Sequence, residues 1–371
     1  MQKLFTLGVE EEFQIVDPST RDLKPHVEQM IASGDPGFME NIKREMIQSM
    51  VETVSPICDT VEDARREILK LRTGLGQLAA QSGLAIVAAG AHPFSHWQSQ
   101  LITEHDRYKL LEEDLQDVVR SILIFGLHVH VGIPDRDLLV EIMNEARYFL
   151  PHMLALSTNS PFWQGRLTGL KSYRTIVWQQ FPRTGIPSTF NSWADFESLV
   201  NLLVQTNCID NGKKIWWDLR PHPYFSTLEF RVCDMPTTID DALMLVGLFQ
   251  AIVAKLYKLR KQNMGFRLYD RVLIMENKWR AARYGIDGQL IDFGKREEVP
   301  MRRLAEELLE FVDDVLDELG SRKAVEYVNT VLKIGTGADR QLDVFRKTGE
   351  MNSVVDYLIE NTLAGTRLAN S

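Results

Sequence analysis

The sequence predicts an α+β fold, in which a mainly antiparallel sheet is flanked by helices and followed by a helical C-terminal third. Strand-like segments before Asp234 are separated by irregular lengths and show no repeated strand–helix–strand order, which disfavours a parallel α/β sheet. After Asp234 the apolar residues recur with helical spacing. We therefore expect a single domain over residues 1–371, with a sheet-forming core over about 1–235 and a helical packing region over about 236–371.

Six segments have the alternation or the short apolar runs of strands. The first alternates apolar and acidic residues and ends at the turn Asp17-Pro18, and the second stops at Pro56. The last two flank a turn-rich stretch from Pro221 to Tyr224, so we expect them to pair as antiparallel neighbours. The predicted strands are 5–16, 47–54, 84–89, 125–132, 215–219 and 227–233.

Seven segments have the apolar periodicity of helices. The first begins at Thr60, three residues before Asp63, which is the spacing of a capping box. The predicted helices are 60–82, 104–123, 136–156, 239–261, 301–319, 322–332 and 353–362.

The composition is that of a globular protein, with 44% hydrophobic and 25% charged residues. The formal net charge of −9 opposes attraction to nucleic acid and to anionic membrane surfaces. The apolar run at the N-terminus is too short for the apolar region of a signal peptide. No stretch offers the roughly 18 consecutive apolar residues of a membrane-spanning helix. We expect a cytoplasmic protein with neither a nucleic-acid nor a membrane partner.

The three cysteines, Cys58, Cys208 and Cys233, are widely spaced and include no Cys-x-x-Cys pair. This spacing excludes a disulfide framework and a typical zinc site. We expect reduced thiols in the core.

Three consecutive glutamates lie inside the first predicted strand. Because side chains alternate along a strand, Glu10 and Glu12 share one face, about 6.6–6.8 Å apart, while Glu11 points away. Two carboxylates on an inner face need a cation, and oxygen ligands suit Mg²⁺, Mn²⁺ or Ca²⁺. A solvated strand face is the alternative for this segment alone. Glu45 and Glu52, around the second strand, are by themselves more typical of ordinary surface glutamates than of metal ligands.

His128 and His130 share one face of the strand 125–132, with apolar residues on the other. Such a pair can contact a metal or a phosphate, and we prefer a hard-metal site in which one histidine participates. The alternative is a hydrogen-bonded core pair.

Glu229 and Arg231 share a face of the strand 227–233, beside Arg220 from the neighbouring segment. This group is either a plain ion pair or a site in which Glu229 binds metal while the arginines clamp polyphosphate or a carboxylate. The sequence has no Walker A motif, GxGxxG fingerprint or kinase catalytic loop, so any ATP would bind through metal and arginine on a sheet.

Taken together, six segments resemble the type-2 glutamate–cysteine ligases, also called carboxylate–amine ligases, whose catalytic sheet is glutamine-synthetase-like. The likeness covers most of the chain. The segments are Gly8-Val9-Glu10-Glu11-Glu12-Phe13, Ser49-Met50-Val51-Glu52 with Pro56, Gly90-Ala91-His92-Pro93-Phe94, Gly126-Leu127-His128-Val129-His130, Ser160-Pro161-Phe162 and Leu228-Glu229-Phe230-Arg231.

The resemblance implies an activity and a set of site residues. It implies a single catalytic domain that uses ATP and Mg²⁺ or Mn²⁺ to join glutamate to cysteine through an acyl phosphate, as in glutathione biosynthesis, and that forms a homodimer. How well cysteine serves as the amine stays open. The implied metal ligands are Glu10, Glu12, Glu45, Glu52, His128 and Glu229. The implied catalytic arginines are Arg220 and Arg231, which also contact ATP or substrate, together with Arg107, Tyr108, His130 and Arg174.

Two other functions are consistent with the same residues. A metal-dependent hydrolase would use the histidine and glutamate cluster to activate water and would need no nucleotide. A non-catalytic sensor of ATP or an amino acid would bind its ligand and release no phosphate.

Overall fold

The computed structural model describes residues 3–366, which contain one large sheet, three small ones and many helices. The strands are β1 (Leu7–Val16), β2 (Ile42–Arg44), β3 (Met50–Val54), β4 (Ala85–Val87), β5 (Gly126–Gly132), β6 (Phe162–Trp163), β7 (Arg166–Leu167), β8 (Thr184–Gly185), β9 (Trp216–Trp217), β10 (Leu219–Pro221), β11 (Thr227–Asp234), β12 (Gln289–Asp292) and β13 (Glu297–Pro300).

The helices surround the large sheet and form most of the C-terminal third. They are α1 (Val27–Ser33), α2 (Pro36–Met39), α3 (Val61–Gln81), α4 (Asp106–Leu115), α5 (Asp117–Arg120), α6 (Arg136–Ala146), α7 (Leu150–Ser157), α8 (Tyr173–Trp178), α9 (Trp193–Gln205), α10 (Ile239–Lys261), α11 (Arg271–Tyr284), α12 (Met301–Leu319), α13 (Arg322–Val325), α14 (Val328–Ile334), α15 (Gly337–Thr348) and α16 (Met351–Thr362).

The large sheet has seven strands, all paired antiparallel, in the order β10-β11-β5-β1-β3-β2, with β4 paired to the C-terminal end of β1. The pairs β6–β7 and β12–β13 are also antiparallel, whereas β8 and β9 are parallel. The α+β class and the mainly antiparallel sheet are therefore confirmed.

One face of the large sheet forms the core with α3 and α10. Val9 and Phe13 of β1 are fully buried on this face, and Phe230 of β11 stacks on Phe249 of α10 with ring centroids 4.1 Å apart. Helix α3 begins as predicted, because the Thr60 side chain accepts a hydrogen bond from the Asp63 N–H and the Asp63 carboxylate accepts one from the Thr60 N–H. These contacts leave the opposite face of the sheet for polar residues.

Helix α10 is long and apolar enough to cross a membrane by length and composition, with a mean hydropathy of 1.6 in its most apolar window. However, 78% of that window is buried inside the protein. Packing against the sheet accounts for its apolar character.

A buried ion pair joins the sheet to the helices. The Glu11 carboxylate accepts hydrogen bonds from Arg72 of α3, with Nη2 2.6 Å from Oε1 and Nε 3.2 Å from both oxygens. The same guanidinium donates to the backbone carbonyls of Pro236, Thr237 and Thr362. One side chain therefore connects β1, α3, the segment after β11 and the end of α16.

The structure divides three helices that the sequence predicted as continuous. The segment 104–123 breaks into α4 and α5 at Gln116, whose φ of +48° is incompatible with a helix. The segment 136–156 becomes α6, a 3₁₀ turn and α7, where Pro151 lies at the start of α7 because it cannot donate a backbone hydrogen bond inside a helix. The segment 322–332 is divided into α13 and α14.

The predicted strand 215–219 is wrong as a single strand. Trp216 and Trp217 pair in parallel with β8, whereas Leu219 to Pro221 pair antiparallel with β11. The chain changes partner at Asp218, whose N–H donates to Gly185 and whose carbonyl accepts from Arg231.

The C-terminal third is not entirely helical, because β12 and β13 form a hairpin there. By contrast, the helices 239–261 and 301–319 have the predicted bounds. The strands β2, β6, β7 and β8 and the helices α1, α2, α8, α9, α11 and α15 were not predicted.

The cysteines are free, but only two lie in the core. Burial raises the pKa of Cys58 to about 11 and that of Cys233 to about 12, so both are unreactive thiols at neutral pH. The prediction is wrong for Cys208, which is exposed just after α9.

The Glu11–Arg72 pair leads to a stability prediction. Arg72→Met leaves the Glu11 carboxylate buried without a cation, since neither side chain is more than 1% exposed. We expect the free energy of unfolding to fall by about 3–5 kcal/mol, measured by urea denaturation. The double variant Glu11→Met/Arg72→Met should lose less, because it leaves no buried charge.

Asp356→Asn is the matched control. The Asp356 carboxylate accepts hydrogen bonds from the Arg21 guanidinium at the surface, where the Asp356 side chain is 49% exposed. This change should cost less than about 1 kcal/mol. Equal losses in Arg72→Met and Asp356→Asn would contradict the assigned role of the buried pair.

Candidate active site

The face of the sheet opposite α3 and α10 gathers the predicted acidic residues. Alternation along β1 places Glu10 and Glu12 on this face, since Glu11 is bonded to Arg72 on the other. Across the sheet, Glu10 pairs with His128 of β5, and Glu12 pairs with Glu52 of β3. Residues from three adjacent strands are thereby brought together.

Glu10 lies between the two histidines. Its oxygens are 3.1 Å from His128 Nδ1 and 3.3 Å from His130 Nε2. Although burial opposes ionisation, hydrogen bonds and charges from both rings hold the pKa of Glu10 well below its usual range. On its other side, His130 Nδ1 is 3.1 Å from the Thr227 hydroxyl, which fixes the ring. Glu10 is therefore a fixed anion with a defined orientation.

Glu229 is held by two arginines. It lies opposite both Arg220 and His130 in the register, and Arg220 Nε is 2.7 Å from Glu229 Oε2. Arg231, on the same strand, donates to Glu229 Oε1, and its Nη1 is 3.5 Å from His128 Nδ1. Burial opposes ionisation here too, but the two guanidiniums hold the pKa of Glu229 well below its usual range.

Two groups of side chains have the donors of a divalent-metal site. In each group one imidazole nitrogen and two carboxylate oxygens lie within 4.8 Å of one another. Such oxygen-rich sets suit hard cations. A neutral imidazole has a single acceptor nitrogen, so His128 can serve one group at a time. The groups are Glu10, His128 and Glu229, and Glu12, Glu52 and His128.

The second group carries negative charge that no nearby arginine neutralises fully. Burial first, and then the carboxylates of Glu10, Glu45 and Glu12, raise the pKa of Glu52 well above its usual range. For the same reasons the pKa of Glu45 is raised to about 7. A bound cation would relieve this repulsion, which supports the fit of a divalent ion. Glu45 itself is outside both groups, and its predicted role as a ligand stays a prediction.

Arg107 and Tyr108 lie at one side of the acidic group. They line a cavity of about 480 Å³ together with Glu45 and Glu52. The buried Tyr108 hydroxyl donates to the Arg44 carbonyl at 3.0 Å, whereas Arg107 is exposed. The structure thus brings both predicted residues beside the site.

Arg174 of α8 packs against the polar face of the sheet. It is 3% exposed, and its Nη2 is 3.3 Å from the Arg231 carbonyl. The absence of a Cβ at Gly126 makes room for it, because a Cβ there would be 2.3 Å from Arg174 Nη2. Arg174 therefore joins the group of Arg220 and Arg231.

A second cavity, of about 590 Å³, opens at the end of the sheet where β1 starts. Glu10 and His130 lie at its inner end, and Gly8 forms part of its wall. The rings of Tyr224 and Phe225, which are both more than half exposed, lie at its mouth. The walls of this cavity are mainly apolar.

Two contacting residues gave no signal in the sequence. The Thr227 hydroxyl orients the His130 ring. The guanidiniums of Arg174 and Arg231 both lie over the indole ring of Trp178, with their Cζ atoms 6.0 Å and 5.6 Å from its centroid. Neither residue belongs to a charged or histidine motif. Their roles depend on contacts between segments far apart in the chain.

The charge of Glu52 leads to a pH prediction. Because folding raises its pKa above the ordinary 4.5, its stabilising contribution is present below that pH and is lost as the pH rises. Metal-free protein should therefore lose stability from about pH 5 upward, and Glu52→Gln should reduce this loss. The measurement is thermal unfolding in chelator over a pH series.

Glu197→Gln, an exposed glutamate of α9, is the control and should follow the wild type. Mn²⁺ should stabilise the wild type more than Glu52→Gln. In the wild type the cation relieves the repulsion between Glu52 and its neighbouring carboxylates, and the variant lacks the Glu52 charge. A Glu52→Gln profile that matches the wild type with and without Mn²⁺ would refute this electrostatic interpretation.

The chain is similar to known proteins in both sequence and fold. Residues 6–357 match the family described as glutamate–cysteine ligase family 2. A protein of Herpetosiphon aurantiacus named "Putative glutamate–cysteine ligase 2" is 57% identical over 98% of this chain and 94% of its own length.

Two solved structures share the fold. The glutamate–cysteine ligase of Francisella tularensis, solved in complex with AMP, has a TM-score of 0.71 at 13% identity and covers 99% of this chain and 91% of its own. A bifunctional glutathione synthetase from Pasteurella multocida has a TM-score of 0.72 at 15% identity over 97% of this chain, which spans 52% of that enzyme. From the family match and the identity to the Herpetosiphon protein, the chain belongs to glutamate–cysteine ligase family 2.

Proposed function

We propose that the protein is an ATP-dependent carboxylate–amine ligase that joins the γ-carboxylate of glutamate to the amine of cysteine. The observation that carries the proposal is the polar face of the sheet, which gathers Glu10, Glu12 and Glu229 together with Arg220 and Arg231. Phosphoryl transfer depends mainly on positioning and on neutralising charge, which this face can supply. Family membership supports the same activity.

The reaction would proceed in two transfers. A carboxylate oxygen attacks the γ-phosphorus of ATP, and the bond to the β-phosphate oxygen breaks, which releases ADP and leaves an acyl phosphate. The amine nitrogen then attacks the acyl carbon, phosphate leaves, and the nitrogen loses a proton. The products are an amide, ADP and phosphate.

The carboxylates of both groups, with His128, would hold Mg²⁺ or Mn²⁺. Such an ion, when bound, neutralises the phosphate oxygens and orients them. Glu229 has a second role, because it fixes the planes of Arg220 and Arg231 before substrate arrives. The arginines would then face the transferred phosphoryl group without having to be ordered during the reaction.

The cavity at the start of β1 suits the nucleoside of ATP. Its volume of about 590 Å³ and its apolar walls fit a purine riboside, and its inner end lies at Glu10 and His130, where the phosphates would meet the metal. Phe225 and Tyr224 offer ring faces at the mouth.

The acid and amine would bind on the opposite side, near Arg174, Arg107 and Tyr108. The relatives' names support glutamate and cysteine, as in glutathione biosynthesis. A homodimer and a cytoplasmic location stay predictions from the sequence.

The two other functions have no supporting observation in the described structure. A hydrolase that activates water needs no arginine pair beside its metal ligands, and a sensor needs fewer buried carboxylates than this face contains. Both differ from the ligase in what they release from ATP.

The proposed ligase activity leads to a prediction about turnover. With ATP, Mg²⁺, glutamate and cysteine, the protein should release ADP in an amine-dependent manner and form an amide, detected by mass spectrometry. Glu10→Gln and Glu229→Gln should lower kcat at least about a hundredfold, since each removes a charge that positions the phosphates. Glu197→Gln should retain the activity of the wild type.

A panel of other amines identifies the acceptor if cysteine reacts poorly. Turnover of substrate without nucleotide would favour the hydrolase. Tight ATP binding without ADP release for any acid and amine would favour the sensor.

The second prediction concerns the nucleoside cavity. Phe225 is 61% exposed, so Phe225→Ala should barely change stability. If the base stacks on this ring, the KM for ATP should rise roughly tenfold, with the KM for glutamate unchanged. Leu202→Ala, also exposed but on α9, is the control for a generic surface truncation. An unchanged KM for ATP in Phe225→Ala would place the base elsewhere.

A further inference from the structure

One of the buried arginines lacks the partners that the others have. Within residues 3–366, five arginines are at least nine-tenths buried. Four of them donate to a carboxylate or to several backbone carbonyls, whereas Arg174 does neither. The four are Arg72 with Glu11, Arg147 with the carbonyls of Asn144, Pro187 and Tyr269, and Arg220 and Arg231 with Glu229.

Arg174 makes one hydrogen bond, to the Arg231 carbonyl at 3.3 Å, and its Nε has no partner. Asp234 carries a carboxylate close enough to interact with Arg174, but its oxygens already accept from the Asn159 N–H and from the hydroxyls of Ser160 and Ser172 at 2.6–2.8 Å. A buried cation with unused donors is unfavourable unless a ligand completes it.

Two further unused donors lie beside Arg174. Trp178 Nε1 and Arg231 Nε are buried and have no hydrogen-bond partner among the described residues. Both guanidiniums lie over the Trp178 ring, with Arg174 Cζ at 6.0 Å and Arg231 Cζ at 5.6 Å from its centroid. The indole and the two guanidiniums over it thus have three N–H groups without a hydrogen-bond partner. These unused donors, two of them cationic, indicate that a negatively charged acceptor is missing.

We propose that Arg174, Trp178 and Arg231 form an oxyanion cradle, in which the Trp178 indole N–H binds substrate directly. The ligand is an oxyanion of the reaction, either the carboxylate of the acid substrate or the phosphoryl group in transfer. This inference rests on the proposed ligase function and assigns a binding residue, Trp178, that no charged motif marks. Tryptophan suits the position because its ring carries both guanidiniums while its N–H donates.

The cradle is fixed from two sides. Arg174 and Trp178 are four residues apart on α8 and therefore lie on one face of that helix. Ser172 caps the helix by accepting the Thr175 N–H, and its hydroxyl donates to Asp234. Since Asp234 and Arg231 belong to the same strand, β11, the helix and the sheet hold all three donors in place before the ligand binds.

The direct test uses the indole N–H resonances of ¹⁵N-labelled protein, which has seven tryptophans. The Trp178 signal is assigned by its absence in Trp178→Phe. The probes are glutamate and inorganic phosphate, each alone and with Mg²⁺ and a non-hydrolysable ATP analogue. We expect a downfield shift of the Trp178 signal, since the N–H gains a charged acceptor. This readout does not require turnover, so it is independent of the ligase assay.

The second test is kinetic. Trp178→Phe keeps a ring under both guanidiniums and removes only the N–H, so the loss should be roughly tenfold, typical of one hydrogen bond to a charged group. A rise in the KM for glutamate with kcat retained identifies the carboxylate as ligand, and a fall in kcat with KM retained identifies the phosphoryl group. Trp193→Phe is the control, because Trp193 carries the surface Arg136 over its ring at 4.2 Å.

Arg174→Gln provides a variant that keeps Trp178, and it should abolish the probe-induced shift. The proposal is overturned if the Trp178 signal does not move with any probe, or if Trp178→Phe has the kinetic constants of Trp193→Phe in an active enzyme. A shift in a protein without ligase activity would support the cradle and refute the ligase.

Discussion

The alternation of three glutamates along β1 is the constraint on which the rest of the structure depends. Glu11 enters the core and is neutralised by Arg72, whereas Glu10 and Glu12 project from the opposite face. A shift of one residue in the register would bury two carboxylates against α3 and α10 and expose the third. The bonds of Arg72 to Pro236, Thr237 and Thr362 therefore secure the site as well as the core.

The two sides of the polar face have opposite needs. Around Glu12 and Glu52 negative charge is in excess and requires a cation, while around Arg174 and Trp178 unused donors require an anion. Glu229 is balanced by Arg220 and Arg231. Such an arrangement suits a ligand that is itself an anion bound to a metal, as a nucleoside triphosphate is.

The sequence was sufficient for features that depend on local patterns. Alternation placed Glu10, His128 and Glu229 on the correct faces, and apolar periodicity gave α10 and α12 their bounds. It failed where distant segments decide the outcome. Arg72 is 61 residues from Glu11, so the cation that neutralises this strand was invisible in its neighbourhood. The break at Gln116 depends on a positive φ that glutamine rarely adopts.

The same distinction separates the parts of the site. The ligands of metal and phosphate lie on paired strands, where the register fixes each side chain relative to the next. Arg174 and Trp178 lie on a short helix that is joined to the sheet through the hydrogen bonds of Asp234 with Ser160 and Ser172 and through the bond from Arg174 to the Arg231 carbonyl. If the oxyanion in the cradle is the substrate carboxylate, changes in the segment that carries α8 can alter which acid is bound while the metal ligands on the paired strands keep their positions.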